Sequence, residues 1–150
     1  MASFYKKGLR FTCVQCGQCC LVSSGVVYIN EEESQTLAKH LQLNLSQFYQ
    51  QYTEIEASTG LRILQSLPDG ACIFYQNSHC SVYPARPLQC RTYPFWPENL
   101  TSAYQWKQTA KECPGIGQGE QIPAQQIEQL RQLQADHDAH LLQQIRSRTK

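Results

Sequence analysis

Four cysteines fall within eight residues near the start of this 150-residue chain, in the order Cys13-x-x-Cys16-x-x-Cys19-Cys20. Two successive C-x-x-C steps place three thiols on one short loop, where a metal ion can bind them at little cost in chain entropy. Four further cysteines follow at wide spacing, namely Cys72, Cys80, Cys90 and Cys113. The spacing predicts a metal site built from one dense loop and distant parts of the chain.

The sequence of the loop also predicts how its cysteines are divided between two metal centres. Gly17 can take the positive φ values that turn backbone N–H groups toward metal-bound sulfurs. The side chains of adjacent cysteines diverge, so Cys19 and Cys20 are expected to serve different centres. The predicted first set is Cys13, Cys16, Cys19 and Cys113, and the second is Cys20, Cys72, Cys80 and Cys90. Spacing alone leaves an exchange of Cys90 with Cys113 open.

An even number of cysteines in a small chain is also typical of disulfide frameworks in secreted proteins. The first ten residues argue against that alternative, because they contain no apolar segment and no small-residue cleavage site. A chain that remains in the cytoplasm keeps its thiols reduced. We therefore expect a cytoplasmic protein whose cysteines bind metal, with disulfides and redox-active thiols as the alternatives.

Length and charge limit the classes of partner. A chain of 150 residues suits one domain that buries about 70% of its unfolded surface. The net charge of +1 gives no basic surface for nucleic acid, and no apolar run approaches the ~20 residues that span a bilayer. We therefore expect neither a nucleic acid nor a membrane as partner. The cysteines leave metal ions as the predicted partners.

Four cations lie within four residues of a cysteine in the sequence, and these are Arg10, Arg86, Arg91 and Lys111. Thiolates bound to a divalent ion leave a net negative charge, which nearby cations can offset. Solvated surface positions are the alternative interpretation of the same four residues.

The first half of the chain predicts one strand and two helices. Residues 25–29 are β-branched and aromatic, which favours a short strand. Asn30 and Glu33 have the spacing of a capping box, which predicts a helix through about His40. Ser46 is expected to cap a second short helix whose aromatic face packs on the core.

The next stretch predicts a hairpin that carries two cysteines. Residues 62–64 and 71–75 have strand composition and flank a Pro-Asp-Gly turn. Cys72 would then lie on a strand, and Cys80 would face it across a hairpin. His79 is expected to be a neighbour of the site rather than a ligand, because the cysteines suffice.

The stretch 83–97 contains four prolines and is expected to be a rigid, aromatic-rich loop that holds Cys90. Cys113 precedes Pro114, which is similar to the C-P of bacterial ferredoxins. The glycines at 115, 117 and 119 predict a flexible link, which lacks the context of a dinucleotide site.

The last segment predicts a long amphipathic helix from Pro123 to about Arg146. Its apolar stripe consists of Ile127, Leu130, Leu133, His137, Leu141 and Ile145. We expect a small α+β domain with a short antiparallel hairpin, in which residues 1–120 bind metal and helix 121–150 packs on them. The stripe also leaves room for a protein partner.

Three parts of the sequence together resemble the CxxCxxCC cysteine-cluster family, the YkgJ-like zinc- or iron-chelating domain proteins. They are Cys13-x-x-Cys16-Gly17-x-Cys19-Cys20, then Cys72-Ile73-Phe74 with Cys80-Ser81-Val82-Tyr83, then Arg86-Pro87-x-x-Cys90-Arg91-x-Tyr93-Pro94. The resemblance covers about residues 10–115 and implies metal binding without an established reaction. A similar cluster occurs in bacterial flagellin lysine methylases, but a separate S-adenosylmethionine site is not evident in this sequence.

Three functions follow from these observations. The first is an iron–sulfur protein, with a [4Fe–4S] cluster as one form and one or two centres, acting as electron carrier, sensor or maturation factor. The second is a zinc-stapled structural or protein-interaction module, and the third is a thiol-dependent enzyme. No catalytic constellation stands out, so a binding function is the prediction and an enzymatic one stays open.

Overall fold

The computed structural model describes residues 3–17 and 26–148. Its α-helices are α1 (Glu31–His40), α2 (Leu45–Tyr52), α3 (Leu88–Thr92), α4 (Ala103–Ala110) and α5 (Ala124–Arg148). Its strands are β1 (Leu9–Phe11), β2 (Thr53–Ile55), β3 (Arg62–Leu64), β4 (Tyr75–Gln76), β5 (His79–Cys80) and β6 (Ile116–Ile122). The strands form three two-stranded antiparallel sheets, which confirms the predicted α+β class.

Capping boxes start the first two helices. The Glu33 backbone N–H donates to Asn30 Oδ1 (2.7 Å), and the Asn30 N–H donates to Glu33 Oε1 (3.1 Å), as predicted for α1. The second helix begins two residues earlier than expected, because Asn44 and Gln47 form its capping box and Ser46 lies inside the helix. An Asn side chain caps as well as Ser, so residue type alone did not decide between them.

The predicted strands are only partly present. Strand β3 forms, but its partner is β2 rather than residues 71–75. Cys72 makes one isolated bridge to Ser66, and Cys80 pairs with Tyr75 in the β4–β5 hairpin. The strand expected at 25–29 is reduced, in its described part, to a bridge from Tyr28 to Ile63.

The glycine-rich stretch after Cys113 is a strand, not the flexible link that we expected. Strand β6 pairs with β1, with Leu9 opposite Ile122 and Phe11 opposite Ile116 around a bulge. The partner lies more than 100 residues away in sequence, so local composition does not reveal the pairing.

Two hydrophobic clusters form the interior. Core A consists of Ile29, Leu37, Ala38, Phe48, Leu64, Phe74, Val82 and Ala85. Core B consists of Tyr5, Phe95, Leu100, Trp106 and Ile127, with Phe11 and Ile116 packed against it. The expectation that the α2 aromatics face the core is confirmed, because Phe48 is fully buried and stacks with Tyr52.

The C-terminal helix α5 packs against α3 and against the 3₁₀-helix Pro97–Leu100. Ile127 is fully buried as predicted, but Leu133 is 49% exposed and Gln134 is buried in its place. The face of α5 that packs on the body therefore includes Gln134 where the sequence pattern predicted Leu133. No helix within the described ranges has the length and apolar character that a membrane crossing requires.

Candidate metal centre

Six cysteines from five separate parts of the chain line a single cavity of about 60 Å³. They are Cys13, Cys16, Cys72, Cys80, Cys90 and Cys113. The walls are otherwise largely apolar and include Phe11 from the side of core B and Val27, Leu64, Phe74 and Val82 from the side of core A. The fold thus gathers thiols that the sequence spreads over 100 residues.

The loop that carries Cys13 and Cys16 is tied to the Cys113 segment at its start. The Thr12 N–H donates to the Gly115 carbonyl oxygen at 3.2 Å. A Cβ atom at Gly115 would stand 2.1 Å from the Thr12 carbonyl oxygen, so any side chain there would push the two segments apart. Glycine is required at this position because the two backbones touch.

The same loop meets the β4–β5 hairpin at its other end. Gly17 has φ +77°, and a Cβ atom there would lie 2.7 Å from the Tyr75 ring and 2.8 Å from the Ser78 carbonyl oxygen. The loop therefore bridges two sites, with the Cys113 segment at one end and the hairpin that carries Cys80 at the other.

Cys72 and Cys80 belong to the side of core A, against which both half-buried side chains pack. A turn closed by the Leu67 N–H donating to the Ala71 carbonyl oxygen (2.7 Å) precedes Cys72. The two cysteines do not face each other across strands as predicted, because Cys80 pairs with Tyr75. They nevertheless reach the same cavity.

Cys90 lies on α3, a short helix that the sequence did not predict within its proline-rich stretch. The Leu88 N–H donates to Glu33 Oε2 (2.7 Å), which ties the start of α3 to the start of α1. The Gln89 side chain donates to the Val26 carbonyl oxygen (2.9 Å) and accepts from the Tyr28 N–H (3.4 Å). Gln89 is thus a positioning residue that no motif in the sequence marks.

Cys113 is the buried thiol of the described set. Burial raises the pKa of the Cys113 thiol, and the neighbouring Cys16 and Cys13 add to that rise. The backbone N–H groups of Gly115 and Ile116 hydrogen-bond the thiol and lower its pKa, although they do not outweigh burial. Backbone N–H groups aimed at a sulfur are what we expected near Gly17, and Cys113 has such an arrangement as well.

Those effects also establish proximity, because Cys13 and Cys16 lie close enough to Cys113 to influence its ionisation. A bound cation would reverse the balance, since it favours the thiolate form of its ligands. The all-sulfur donor set and the N–H groups aimed at Cys113 fit a thiolate-bound metal.

Among residues 3–17 and 26–148, no three His, Cys, Asp or Glu side chains form a ready-made ligand group. Cys19 and Cys20 lie outside the described residues, so the predicted four-and-four division stays a prediction. The six thiols that share the cavity would have to draw together around an ion, which couples metal binding to the folding of this region.

The structure separates the cations and the histidine near the cysteines. Arg86 lines the cavity, whereas Arg10, Arg91 and Lys111 do not. His79 is exposed, its Nδ1 lies 2.9 Å from the Asn77 carbonyl oxygen, and it does not line the cavity either. Of the four cations that the sequence placed near cysteines, proximity along the chain therefore identified one that reaches the site.

The family model CxxCxxCC, described as "putative zinc- or iron-chelating domain", matches residues 12–114. This range includes all eight cysteines and excludes α5. No solved structure matches the chain.

Proposed function

Since this chain belongs to the CxxCxxCC family of zinc- or iron-chelating domains, we propose that it is an iron–sulfur protein. Its role is that of an electron carrier, sensor or maturation factor rather than an enzyme. The observation that carries the proposal is the meeting of six distant cysteines at one largely apolar cavity.

The donor set favours soft metals. None of the described residues that line the cavity is a carboxylate or a histidine, and thiolates select zinc, copper(I) and iron–sulfur clusters over magnesium or calcium. Six thiols exceed the four that one closed zinc site uses. The chain would therefore hold either two metal centres or one metal centre with cysteines that are not ligands.

The residues have distinct expected roles. Cys13 and Cys16 lie close to Cys113, and Cys72 and Cys80 pack against core A. Cys90 on α3 completes the described ligands. Cys19 and Cys20 are proposed as ligands from the motif alone.

An iron–sulfur cluster, when bound, supplies one-electron redox chemistry. The chain's own contribution is to orient the sulfurs, to donate N–H groups to the Cys113 sulfur and to limit the access of water through its apolar walls. Hydrogen bonds to sulfur and limited solvent exposure are two means by which proteins set the potential of such clusters.

A zinc-stapled module is the second candidate, and the position of the cavity favours it. Ligands from both sides of the molecule would link core A to core B through one closed site, as structural zinc does in small domains. Zinc would then stabilise the fold without redox chemistry.

Anaerobic purification followed by metal and acid-labile sulfide analysis decides between the two candidates. We expect a brown protein with broad visible absorbance, containing iron and sulfide in similar amounts. A colourless protein that contains zinc and no sulfide would overturn the iron–sulfur proposal and support the zinc module.

Two substitutions test the ligand set, with a matched control. Cys90→Ser and Cys113→Ser should each lower iron and sulfide per chain, because the cysteines of one centre act as a unit. His79→Ala should leave both unchanged, since the exposed His79 does not line the cavity. Retention of full metal content by both cysteine variants would contradict the assignment.

A further inference from the structure

One permanently charged side chain, Arg86, lies among the described residues that line the cysteine cavity. Its guanidinium carbon sits 3.8 Å from the centre of the Tyr83 ring, and Tyr83 lines the cavity as well. Arg86 and the Tyr83 ring that it covers are therefore both part of the cavity wall.

Two contacts hold this guanidinium in place, and a third holds the Arg86 backbone. Its Nε donates to the Tyr83 carbonyl oxygen at 3.0 Å, and its guanidinium carbon lies over the Tyr83 ring. The Arg86 carbonyl oxygen in turn accepts from Arg91 Nε at 3.1 Å. A stacked and hydrogen-bonded arginine loses little further entropy when it interacts with a nearby charge.

The positive charge of Arg86 can offset the negative charge of thiolate ligands. Cysteines bind metal as thiolates, so four of them around a divalent ion leave a formal charge of about −2. Arginine stays protonated under all physiological conditions. Opposite charges across a partly buried, apolar wall attract more strongly than they would in water.

We propose that Arg86 is the charge-balancing residue of the thiolate site and that it raises the affinity of the cysteines for metal. The inference rests on the proposed thiolate ligands but not on the identity of the metal. It also separates Arg86 from Arg10, Arg91 and Lys111, which share its closeness to a cysteine in sequence but not its place at the cavity.

The molecule contains a matched control. The Arg62 guanidinium carbon lies 3.7 Å from the centre of the Tyr49 ring, which is the same kind of stack. Arg62 and Tyr49 do not line the cysteine cavity. Replacement of Arg62 therefore removes a comparable arginine–tyrosine contact without changing the charge at the site.

The test is a Zn²⁺ titration of the reduced, metal-free full chain in competition with a chromophoric chelator. Arg86→Met should weaken Zn²⁺ binding about tenfold, the lower end of the effect usual for groups outside the ligand shell. Arg86→Lys, which keeps the charge but loses the planar stack, should stay within about threefold of the unmodified protein on the same scale. Arg62→Met should leave the affinity unchanged, and circular dichroism checks that every variant folds.

Each other outcome overturns the inference. Equal weakening by Arg86→Met and Arg62→Met would mean that the stack matters for folding only. Equal weakening by Arg86→Met and Arg86→Lys would mean that charge is not the cause, and an unchanged Arg86→Met would remove any role at the site. A colourless, sulfide-free protein would overturn the iron–sulfur proposal alone, because the Zn²⁺ titration still decides the role of Arg86.

Discussion

Core A and core B differ in how far apart their residues lie in the sequence. Core A, with the residues packed against it, comes from one continuous part of the chain between Val27 and Ala85. Core B joins the first residues, around Tyr5 and Phe11, to residues 95–130. Closing the larger loop costs more chain entropy, so core B depends more than core A on any link between the two ends. The Cys13 loop and Cys113 lie where such a link would form.

Removal of metal should therefore affect the two cores unequally, with the largest effect expected of any change. In the chain-entropy model, a covalent link across about 100 residues stabilises by about 4–5 kcal/mol, and we expect a loss approaching this value. Hydrogen exchange should rise first in β1 and β6, which pair beside core B. Exchange in β2 and β3 should change less.

The measurement is hydrogen exchange by mass spectrometry before and after chelation under reducing conditions. Equal loss of protection in β1–β6 and β2–β3 would show that the cores depend equally on metal. An unchanged melting temperature after complete metal removal would show that metal is not a folding element.

Truncation of one aromatic residue in each core should sharpen the contrast. Phe48 and Phe95 are each at most 2% exposed, so their replacement by Ala should cost about 3–5 kcal/mol in denaturant unfolding. Phe48→Ala should lower protection throughout, because we expect core A, whose contacts are more local, to form first and core B to depend on it. Phe95→Ala should act mainly on β1, β6 and α4. The reverse pattern of protection would make core B the primary unit.

The comparison also explains which elements the sequence could predict. Helix α1 was predictable because the side chains and backbone N–H groups of Asn30 and Glu33 hydrogen-bond each other within one turn. Strand β6 was not predictable, because its glycines are typical of a flexible loop and its strand hydrogen bonds come from the distant β1. Local chemistry predicts core A better than core B for the same reason.

The candidate site divides in the same way. The motif pointed to all eight cysteines, and the structure brings the six described ones to one cavity. Three features of the site were not predictable: helix α3, the positioning role of Gln89, and the location of Arg86 at the cavity. Each depends on contacts with segments far away in sequence. A glutamine beside a cysteine carries no signal of the backbone groups that it binds.

A smaller effect is expected at the junction of α3 and α5. Thr92 Oγ1 donates to Gln134 Oε1 at 2.7 Å, and both residues are buried. Gln134→Ala should cost about 1–3 kcal/mol, because it leaves a buried hydroxyl with a poorer partner. It should also lower metal retention, since α3 carries Cys90.

Gln132→Ala is the control for this substitution. Gln132 is exposed on the same helix and donates only to Asp136 among its described contacts, so its loss should stay within about 0.5 kcal/mol. Chemical unfolding and chelator competition measure the two effects. Equal metal retention in both variants would contradict a role of α5 in holding α3.

The smallest expected effect is a loss of stability at alkaline pH, for which Tyr5 and Tyr28 are the tyrosines to compare. Burial, with a hydrogen bond to Glu128, raises the pKa of Tyr5 to about 12. Burial, with a hydrogen bond to Glu56, likewise raises the pKa of Tyr28 to about 12. A raised phenol pKa stabilises the fold below pH 10, and this stability is lost as the pH rises from 10 to 12.

Unfolding measured between pH 8 and 12 should therefore show a steeper loss above pH 10 in the unmodified protein than in Tyr5→Phe. Tyr104→Phe, at a side chain that is 70% exposed, should behave like the unmodified protein. Identical profiles for all three proteins would remove Tyr5 from the alkaline transition.

The pairing of β1 with β6 sets an order of events during synthesis. Cys13 leaves the ribosome about 100 residues before Cys113, a delay of about 5–20 s at the usual rate of elongation. Core A and the β4–β5 hairpin can form in that interval, whereas the first loop has no β6 beside it. A metal site that uses both Cys13 and Cys113 therefore cannot be completed until Cys113 has emerged, and Cys13 and Cys16 lack this neighbour throughout the delay.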